Sequence, residues 1–213
     1  MKNELEAIQI LERIFGTEAK VRVMRMFLFN QSIAFDMDDI VERTKLKKDK
    51  ARKEITNLEK AGLLLPKSWT KDVVSKRGKV EKTTKKKTKG WVVNTKFPYF
   101  TPLQNFLVHI NPLKHNDILK KLSNVGKIKL LVISGIFIQE HESRVDLLLV
   151  GDNLIENKVL QVVKEIEGEI GKELRYTVFG TDDFQYRYGM MDKLVRDILD
   201  FPHERVIDKL DLR

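Results

Sequence analysis

The spacing of apolar residues predicts four amphipathic helices in the first 60 residues of the chain. Thr17 and Asp36 stand where a side-chain oxygen is suited to cap the start of the second and third helices. The step at residues 44–46, Thr-Lys-Leu, is short enough to join the third and fourth helices by a tight turn. The expected helices cover residues 4–15, 18–28, 37–43 and 48–61.

Two short strands and a basic loop are predicted after the fourth helix. Residues 63–65 are three consecutive leucines, typical of a strand, and Pro66 is expected to break it. Residues 91–93, Trp-Val-Val, resume a strand. Because residues 67–89 are polar and basic, we expect a long loop there that is mobile without a partner.

The pattern changes again in the second half of the chain. Helical stripes continue at first, and then apolar runs at residues 128–138, 145–150 and 174–179 predict strands separated by helices. Strands that alternate with helices indicate an α/β domain, and the whole chain is therefore expected to be α+β. The predicted divisions are residues 1–96, a helical bridge at residues 97–126, and residues 127–213.

Composition narrows the class of protein. The 213 residues are 42% apolar and 33% charged, which suits packed cores with hydrated surfaces. The absence of cysteine excludes a disulfide scaffold, thiolate zinc sites and a cysteine nucleophile. The acidic start of the chain, and the lack of any run near the roughly 20 apolar residues of a membrane span, favour a cytoplasmic protein without a membrane partner. No metal centre or cofactor is expected, because the histidines lack metal-binding spacing: His109, His115, His141 and His203.

Positive charge is concentrated in the first half of the chain. Residues 1–100 contain 24 Lys and Arg against 13 Asp and Glu, a net charge of +11, whereas residues 101–213 have a net charge of −2. Residues 67–96 alone hold 11 basic and two acidic side chains. This asymmetry indicates that one part of the chain meets a polyanion. A hydrated basic loop with no partner is the alternative.

A short apolar stretch at residues 32–35 separates the second and third helices and is expected to form a short strand. The predicted order of helix, short strand, helix, tight turn, helix and two strands resembles the winged helix-turn-helix domains that bind DNA. The second helix of the pair would lie in the major groove, where lysine contacts phosphates and Arg, Asn or Thr can reach base edges. The resemblance implies double-stranded DNA as partner, although such a unit could instead dimerise or dock a protein. The candidate contacts on this helix are Lys47, Lys48, Lys50, Arg52, Lys53, Thr56 and Asn57.

The basic loop would be the wing of such a domain. Its lysines would neutralise phosphates without reading sequence, so they are expected to raise affinity and its salt dependence, while selectivity comes from the helix. The candidate wing contacts are Lys76, Arg77, Lys79, Lys82, Lys85, Lys86, Lys87 and Lys89.

The second half resembles the minimal nucleotidyltransferase domains fused behind a winged helix in prokaryotic transcriptional regulators. The resemblance rests on residues 131–152, on residues 176–179, and on the Thr-Asp-Asp-Phe at residues 181–184 with the helix that follows. Active members of that fold carry Gly-Ser after the first strand and Asp-x-Asp on the second, and the two carboxylates hold magnesium beside the triphosphate.

This chain departs from the active pattern at each of those positions. The dipeptide is reversed, as Ser134-Gly135, and Arg144 stands where the first metal-binding aspartate belongs. Only Asp146 remains of the pair. Because a guanidinium stays charged, Arg144 would occupy the place of the cation, and the resemblance therefore implies a domain without catalytic residues. Asp146 is expected to pair with Arg144 or with a neighbouring backbone group.

The functional hypothesis is a DNA-binding transcriptional regulator, with its second domain acting as a scaffold, a dimerisation surface or a ligand sensor. A homodimer is expected because operators read by such domains are commonly two-fold, and the apolar stripe of the first helix could be its interface. The same stripe could equally pack against other helices of its own domain. One alternative is a divergent nucleotidyltransferase that uses magnesium and a nucleoside triphosphate to modify a protein or small molecule. Another is an assembly protein that binds nucleic acid without sequence preference.

Overall fold

The protein is α+β and consists of two compact units. The first unit comprises Leu11–Val108, and the second comprises the described residues after Val108 together with those before Leu11. The residues that the computed structural model describes are 7–77, 80–108, 113, 115–140 and 142–212, with the backbone alone at residues 7, 8, 73–77 and 80–84.

The four helices predicted near the start of the chain are present. The Thr17 hydroxyl accepts a hydrogen bond from the Lys20 amide and caps the second helix. Asp36 forms a reciprocal capping box with Asp39 at the start of the third. Lys45 adopts a left-handed backbone conformation, with φ of 57°, at the turn into the fourth. The helices are α1 (Ala7–Phe15), α2 (Glu18–Phe29), α3 (Met37–Thr44) and α4 (Lys48–Lys60).

The core of the first unit lies between α2, α3 and α4. The helical stripes point inward as predicted, with Val21, Ile40 and Ile55 almost wholly buried. Val41 of α3 and Leu46 of the turn that follows it are only partly buried.

The prediction of a short strand broken at Pro66 and a long loop is wrong. Two antiparallel strands of 14 residues each, β1 (Leu64–Arg77) and β2 (Val80–Val93), form one hairpin in continuous register. Pro66 lies opposite Trp91, whose backbone N–H and C=O both bond to Phe35 on the other side of β2. Pro66 therefore occupies a position where the ladder needs no donor, and it does not interrupt the strand.

The segment predicted as a helical bridge is divided between the two units. Its first helix, α5 (Phe100–Val108), packs on α2, and the buried Arg25 guanidinium donates to the carbonyl of Leu107. Burial lowers the pKa of Arg25 to about 9. The next helix, α6 (His115–Leu122), belongs to the second unit.

The second unit contains a four-stranded sheet in the order β5-β4-β3-β6. Its strands are β3 (Lys127–Ile133), β4 (Leu147–Asp152), β5 (Tyr176–Gly180) and β6 (Glu204–Asp208). β3 is antiparallel to β4 and β6, and β4 is parallel to β5. The helix α7 (Glu156–Ile170) joins the two parallel strands. Residues 134–138, expected to continue the first strand, instead contain a 3-10 turn at Gly135–Phe137.

Two helices cover one face of this sheet. They are α8 (Thr181–Gly189) and α9 (Lys193–Asp200), and Phe184, Val195 and Ile198 pack with Leu130 and Leu148 of the sheet. Asp192 caps α9 by accepting from two backbone amides. Thr181, the first residue of α8, does not cap that helix, because its hydroxyl donates to Asp152 at the end of β4.

Candidate functional sites

The surface predicted on α4 exists as an exposed face of that helix. All seven candidate residues are exposed, since α4 buries only the stripe that contains Ala51, Glu54, Ile55 and Leu58. The candidate residues that the structure places on this α4 surface are Lys47, Lys48, Lys50, Arg52, Lys53, Thr56 and Asn57.

These side chains differ in how free they are to bind a partner. The Thr56 hydroxyl donates to the Arg52 carbonyl at 2.9 Å, which commits its hydrogen to its own helix. The Lys48 ammonium lies 3.1 Å from an Asp38 carboxylate oxygen, in a pair that is exposed to solvent. Within the described residues, Arg52 and Lys53 have no ion-pair or hydrogen-bonding partner for their side chains. Arg52 therefore presents an exposed guanidinium that no other described residue engages.

A buried glutamate fixes the inner side of α4. The carboxylate of Glu54 accepts a hydrogen bond from the Thr17 hydroxyl at 2.9 Å and lies 3.9 Å from the Lys20 ammonium. Asn57 donates to the same carboxylate at 3.5 Å. This contact ties α4 to the start of α2, so the exposed face is held in a fixed orientation within the unit.

The base of the hairpin is attached to Phe35, which forms an isolated antiparallel bridge with Trp91, and also to α4. Trp91 exchanges two backbone hydrogen bonds with Phe35, each 2.9 Å long. Its indole N–H donates to Glu59 of α4 at 2.8 Å. Gly90 is required beside this bridge, since a Cβ there would overlap the Phe35 carbonyl and the Trp69 ring. The hairpin therefore has a defined position relative to α4.

The lysines predicted in the wing are distributed over both strands of the hairpin. Lys85, Lys86, Lys87 and Lys89 lie on β2 and are exposed. Lys79 lies outside the described residues, as do the side chains of Lys76, Arg77 and Lys82.

One lysine of the same hairpin has a structural role that the sequence did not indicate. The Lys71 ammonium lies 3.0 Å from an Asp36 oxygen and 2.7 Å from an Asp39 oxygen, so it joins β1 to the capping box of α3. These hydrogen bonds raise the pKa of Lys71, those to Asp39 more than those to Asp36. Burial would raise the pKa of Asp36, but the backbone N–H groups of Asp39 and Asp38 and the Lys71 ammonium together hold it below its usual value.

In the second unit, Asp146 is a buried carboxylate whose two oxygens are both engaged. Oδ1 accepts from the Ile136 amide at 3.0 Å and from the Arg175 guanidinium at 3.2 Å. Oδ2 accepts from the amide and the Nε of Arg175, at 2.8 and 3.3 Å. Asp146 thereby links the 3-10 turn, β4 and the segment before β5.

Ser134 and Gly135 also serve this internal structure. The Ser134 hydroxyl lies 2.8 Å from the Pro202 carbonyl, to which it donates, and 2.9 Å from the Ser143 hydroxyl. Gly135 has a φ of 55°, and a Cβ there would overlap Oδ1 of Asp146. Both residues are buried.

The expected pairing of Asp146 with Arg144 is wrong, whereas its pairing with backbone groups is confirmed. Arg144 is exposed, and its guanidinium lies 3.0 Å from Asp197 of α9. The cation beside Asp146 is Arg175, which was not among the residues predicted for this site. No sequence signal identifies Arg175, because the contact depends on the parallel pairing of β4 with β5.

The residues at Asp146 do not fit the magnesium ion that the nucleotidyltransferase resemblance would place there. A guanidinium and two backbone N–H groups already occupy the carboxylate, and Mg²⁺ would require the oxygens that they hold. In the described part of the chain, no three His, Asp or Glu side chains lie close enough to hold a metal ion together. His109 and His141 lie outside that part.

Comparisons of the chain with protein-family models, with curated proteins and with solved structures find no match. Among the described helices, none is long and apolar enough to cross a membrane. The function is therefore inferred from the geometry of the two units themselves.

Proposed function

We propose that this protein is a DNA-binding transcriptional regulator and that its first unit is a winged helix-turn-helix domain. In this proposal α3, the turn at Lys45 and α4 are the helix-turn-helix, and the hairpin of β1 and β2 is the wing. The exposed face of α4 would enter the major groove of double-stranded DNA. The hairpin would contact the phosphate backbone.

The exposed face of α4 is the single observation that carries the proposal. Five cationic side chains share this surface, while Glu54 and the apolar stripe hold the opposite side of the helix in the core. A helix that is charged outward and rigidly supported inward can place an arginine at a base edge with its lysines at the phosphates. The net charge of +11 in residues 1–100 supports a polyanionic partner.

The second unit is proposed to be a nucleotidyltransferase-like domain that does not catalyse the family's reaction. The engagement of Asp146 by Arg175 supports this proposal, because the same carboxylate would have to hold the metal in an enzyme. A role as scaffold, dimerisation surface or ligand sensor is compatible with such a domain.

We further propose that the regulator acts as a homodimer in the cytoplasm. Ile10 and Ile14 of α1 are 46% and 59% exposed and lie on one side of that helix. An exposed apolar stripe of this kind is suited to pairing with the same stripe of a second copy, which would give the two-fold symmetry of common operators.

The test is competitive retention of genomic DNA fragments by the purified full-length protein across a salt series. We expect a few fragments to be retained selectively. R52Q should reduce this selectivity, whereas the matched variant K53Q, which also removes one charge from α4, should weaken binding to all fragments by a similar factor. Uniform binding would instead support the assembly protein without sequence preference, and no binding at moderate salt would contradict the proposal.

A further inference from the structure

The continuous register of the hairpin sorts its lysines onto two opposite faces. Side chains alternate along a strand, and directly paired residues share a face. Lys85, Lys87 and Lys89 therefore lie on the same face as Trp91 and Val93, which we call the α4 face of the hairpin. The opposite face, which we call the α3 face, carries Lys67, Trp69, Lys71 and Lys86.

The α4 face is continuous with the candidate DNA-binding surface of α4. At its base, Val93 is buried and the Trp91 indole donates to Glu59. Glu59 follows Arg52 and Thr56 at helical spacing, so the three residues form one stripe along α4. The stripe that begins at Arg52 therefore ends at the base of the lysine row.

The lysines on the two faces of the hairpin differ in whether they form ion pairs. Lys85, Lys87 and Lys89 are exposed, and within the described residues their ammonium groups have no ion-pair partner. They stand opposite Asp72, Thr70 and Ser68. At about 3.4 Å per residue, neighbouring members of the row are about 7 Å apart.

On the α3 face, one lysine is engaged in ion pairs within the unit. Lys71 is held by the carboxylates of Asp36 and Asp39, and Lys86 lies opposite Lys71 in the register. Lys67 lies opposite Gly90, which is covered by Phe35 and Trp69.

We propose that the hairpin binds the DNA backbone through its α4 face, jointly with Arg52 of α4, and that its α3 face makes no DNA contact. This inference rests on the proposed function. It separates the hairpin lysines, which the sequence alone does not distinguish, into a row that binds DNA and a face that does not. The hydrogen bond from the Trp91 indole to Glu59 joins the base of this row to α4.

The experiment compares two variants of the full-length chain that each remove two lysine charges from the hairpin. K87Q/K89Q alters the α4 face, and K67Q/K86Q alters the α3 face. Affinity for a mixed-sequence DNA duplex is measured across a salt series. We expect K87Q/K89Q to reduce the slope of log affinity against log salt by about 1.8, since each phosphate contact contributes about 0.9. K67Q/K86Q should keep the wild-type slope.

Acetylation of lysines in the wild-type protein, with and without the duplex, gives a second measurement that does not depend on the variants folding. Lys87 and Lys89 should be protected by DNA, and Lys67 and Lys86 should react equally in both states. Equal slope changes in the two variants, or equal protection on both faces, would overturn the inference while leaving DNA binding intact. Failure of the wild-type protein to bind the duplex would instead overturn the proposed function.

Discussion

Asp146 is a buried residue of the second unit whose two carboxylate oxygens are both engaged in hydrogen bonds. The residue is 3% exposed, and its carboxylate receives hydrogen bonds from two backbone amides and one guanidinium. A buried carboxylate with this many donors stabilises the meeting point of the 3-10 turn, β4 and the segment before β5. These hydrogen bonds hold the three segments together within the second unit.

Replacing Asp146 by asparagine should lower the free energy of unfolding by about 2 kcal/mol, because the amide turns an NH₂ group toward donors that need an acceptor. Urea denaturation of D146N measures the loss. R144Q is the matched control, since Arg144 is exposed and, among the described residues, pairs with Asp197, and its effect should stay below about 1 kcal/mol. A D146N protein of wild-type stability that loses a magnesium-dependent nucleotide binding shown by the wild type would contradict this account.

The Lys71 contact with Asp36 and Asp39 should make the attachment of the hairpin sensitive to pH. The pKa of Asp36 is below its unfolded value of 3.8, so its contribution to stability is present above that pH and is lost as the pH falls through the folded pKa. The pKa of Lys71 is above its unfolded value of 10.5, so its contribution is present below that pH and is lost as the pH rises through the folded pKa.

The difference in urea midpoint between wild type and K71M should therefore be constant near neutral pH and should shrink below pH 3.8. The corresponding loss of unfolding free energy should be about 1 kcal/mol or less, because the Lys71 ammonium is partly exposed to solvent. K86Q provides the control, since Lys86 lies opposite Lys71 on the same face of the hairpin. A K71M effect that is equally large at low and neutral pH would show that lost packing, and not the ion pairs, is responsible.

At the scale of elements, the sequence predicts the helices well because their signals are local. Thr17 and Asp36 cap α2 and α3 as expected, and the buried stripe of α4 follows directly from its spacing. The hairpin could not be predicted in the same way, because its lysines and threonines give no apolar alternation. The prediction that the strand breaks at Pro66 was wrong. The backbone groups of Trp91, which lies opposite Pro66, bond instead to Phe35, and Phe35 is distant in sequence.

The second unit also contains features that the local sequence pattern does not predict. The apolar runs indicate its strands, but the length of β3 and the 3-10 turn after it depend on how Asp146 binds the Ile136 amide. The partner of Asp146 could not be predicted either, since Arg175 is 29 residues away and reaches it only through the parallel strand pairing. Contacts of this kind are fixed by topology and not by local pattern.

At the scale of the whole molecule, the uneven charge corresponds closely to the two compact units. The net charge of +11 falls in residues 1–100, which contain α4 and the hairpin, and the remaining residues have a net charge of −2. This division of charge between the units was predictable from sequence. It fits a protein in which one unit binds a polyanion and the other has a different partner or a structural role.

The central claim is that α4 reads DNA in the major groove, and dimethyl sulfate protection of guanine N7 tests it most directly. On a duplex taken from a selectively retained fragment, the wild-type protein should protect one or a few guanines, and R52Q should leave them reactive while still binding the backbone. K53Q should preserve the protection at a protein concentration that restores occupancy. Binding that leaves every guanine N7 as reactive as in free DNA would contradict the claim.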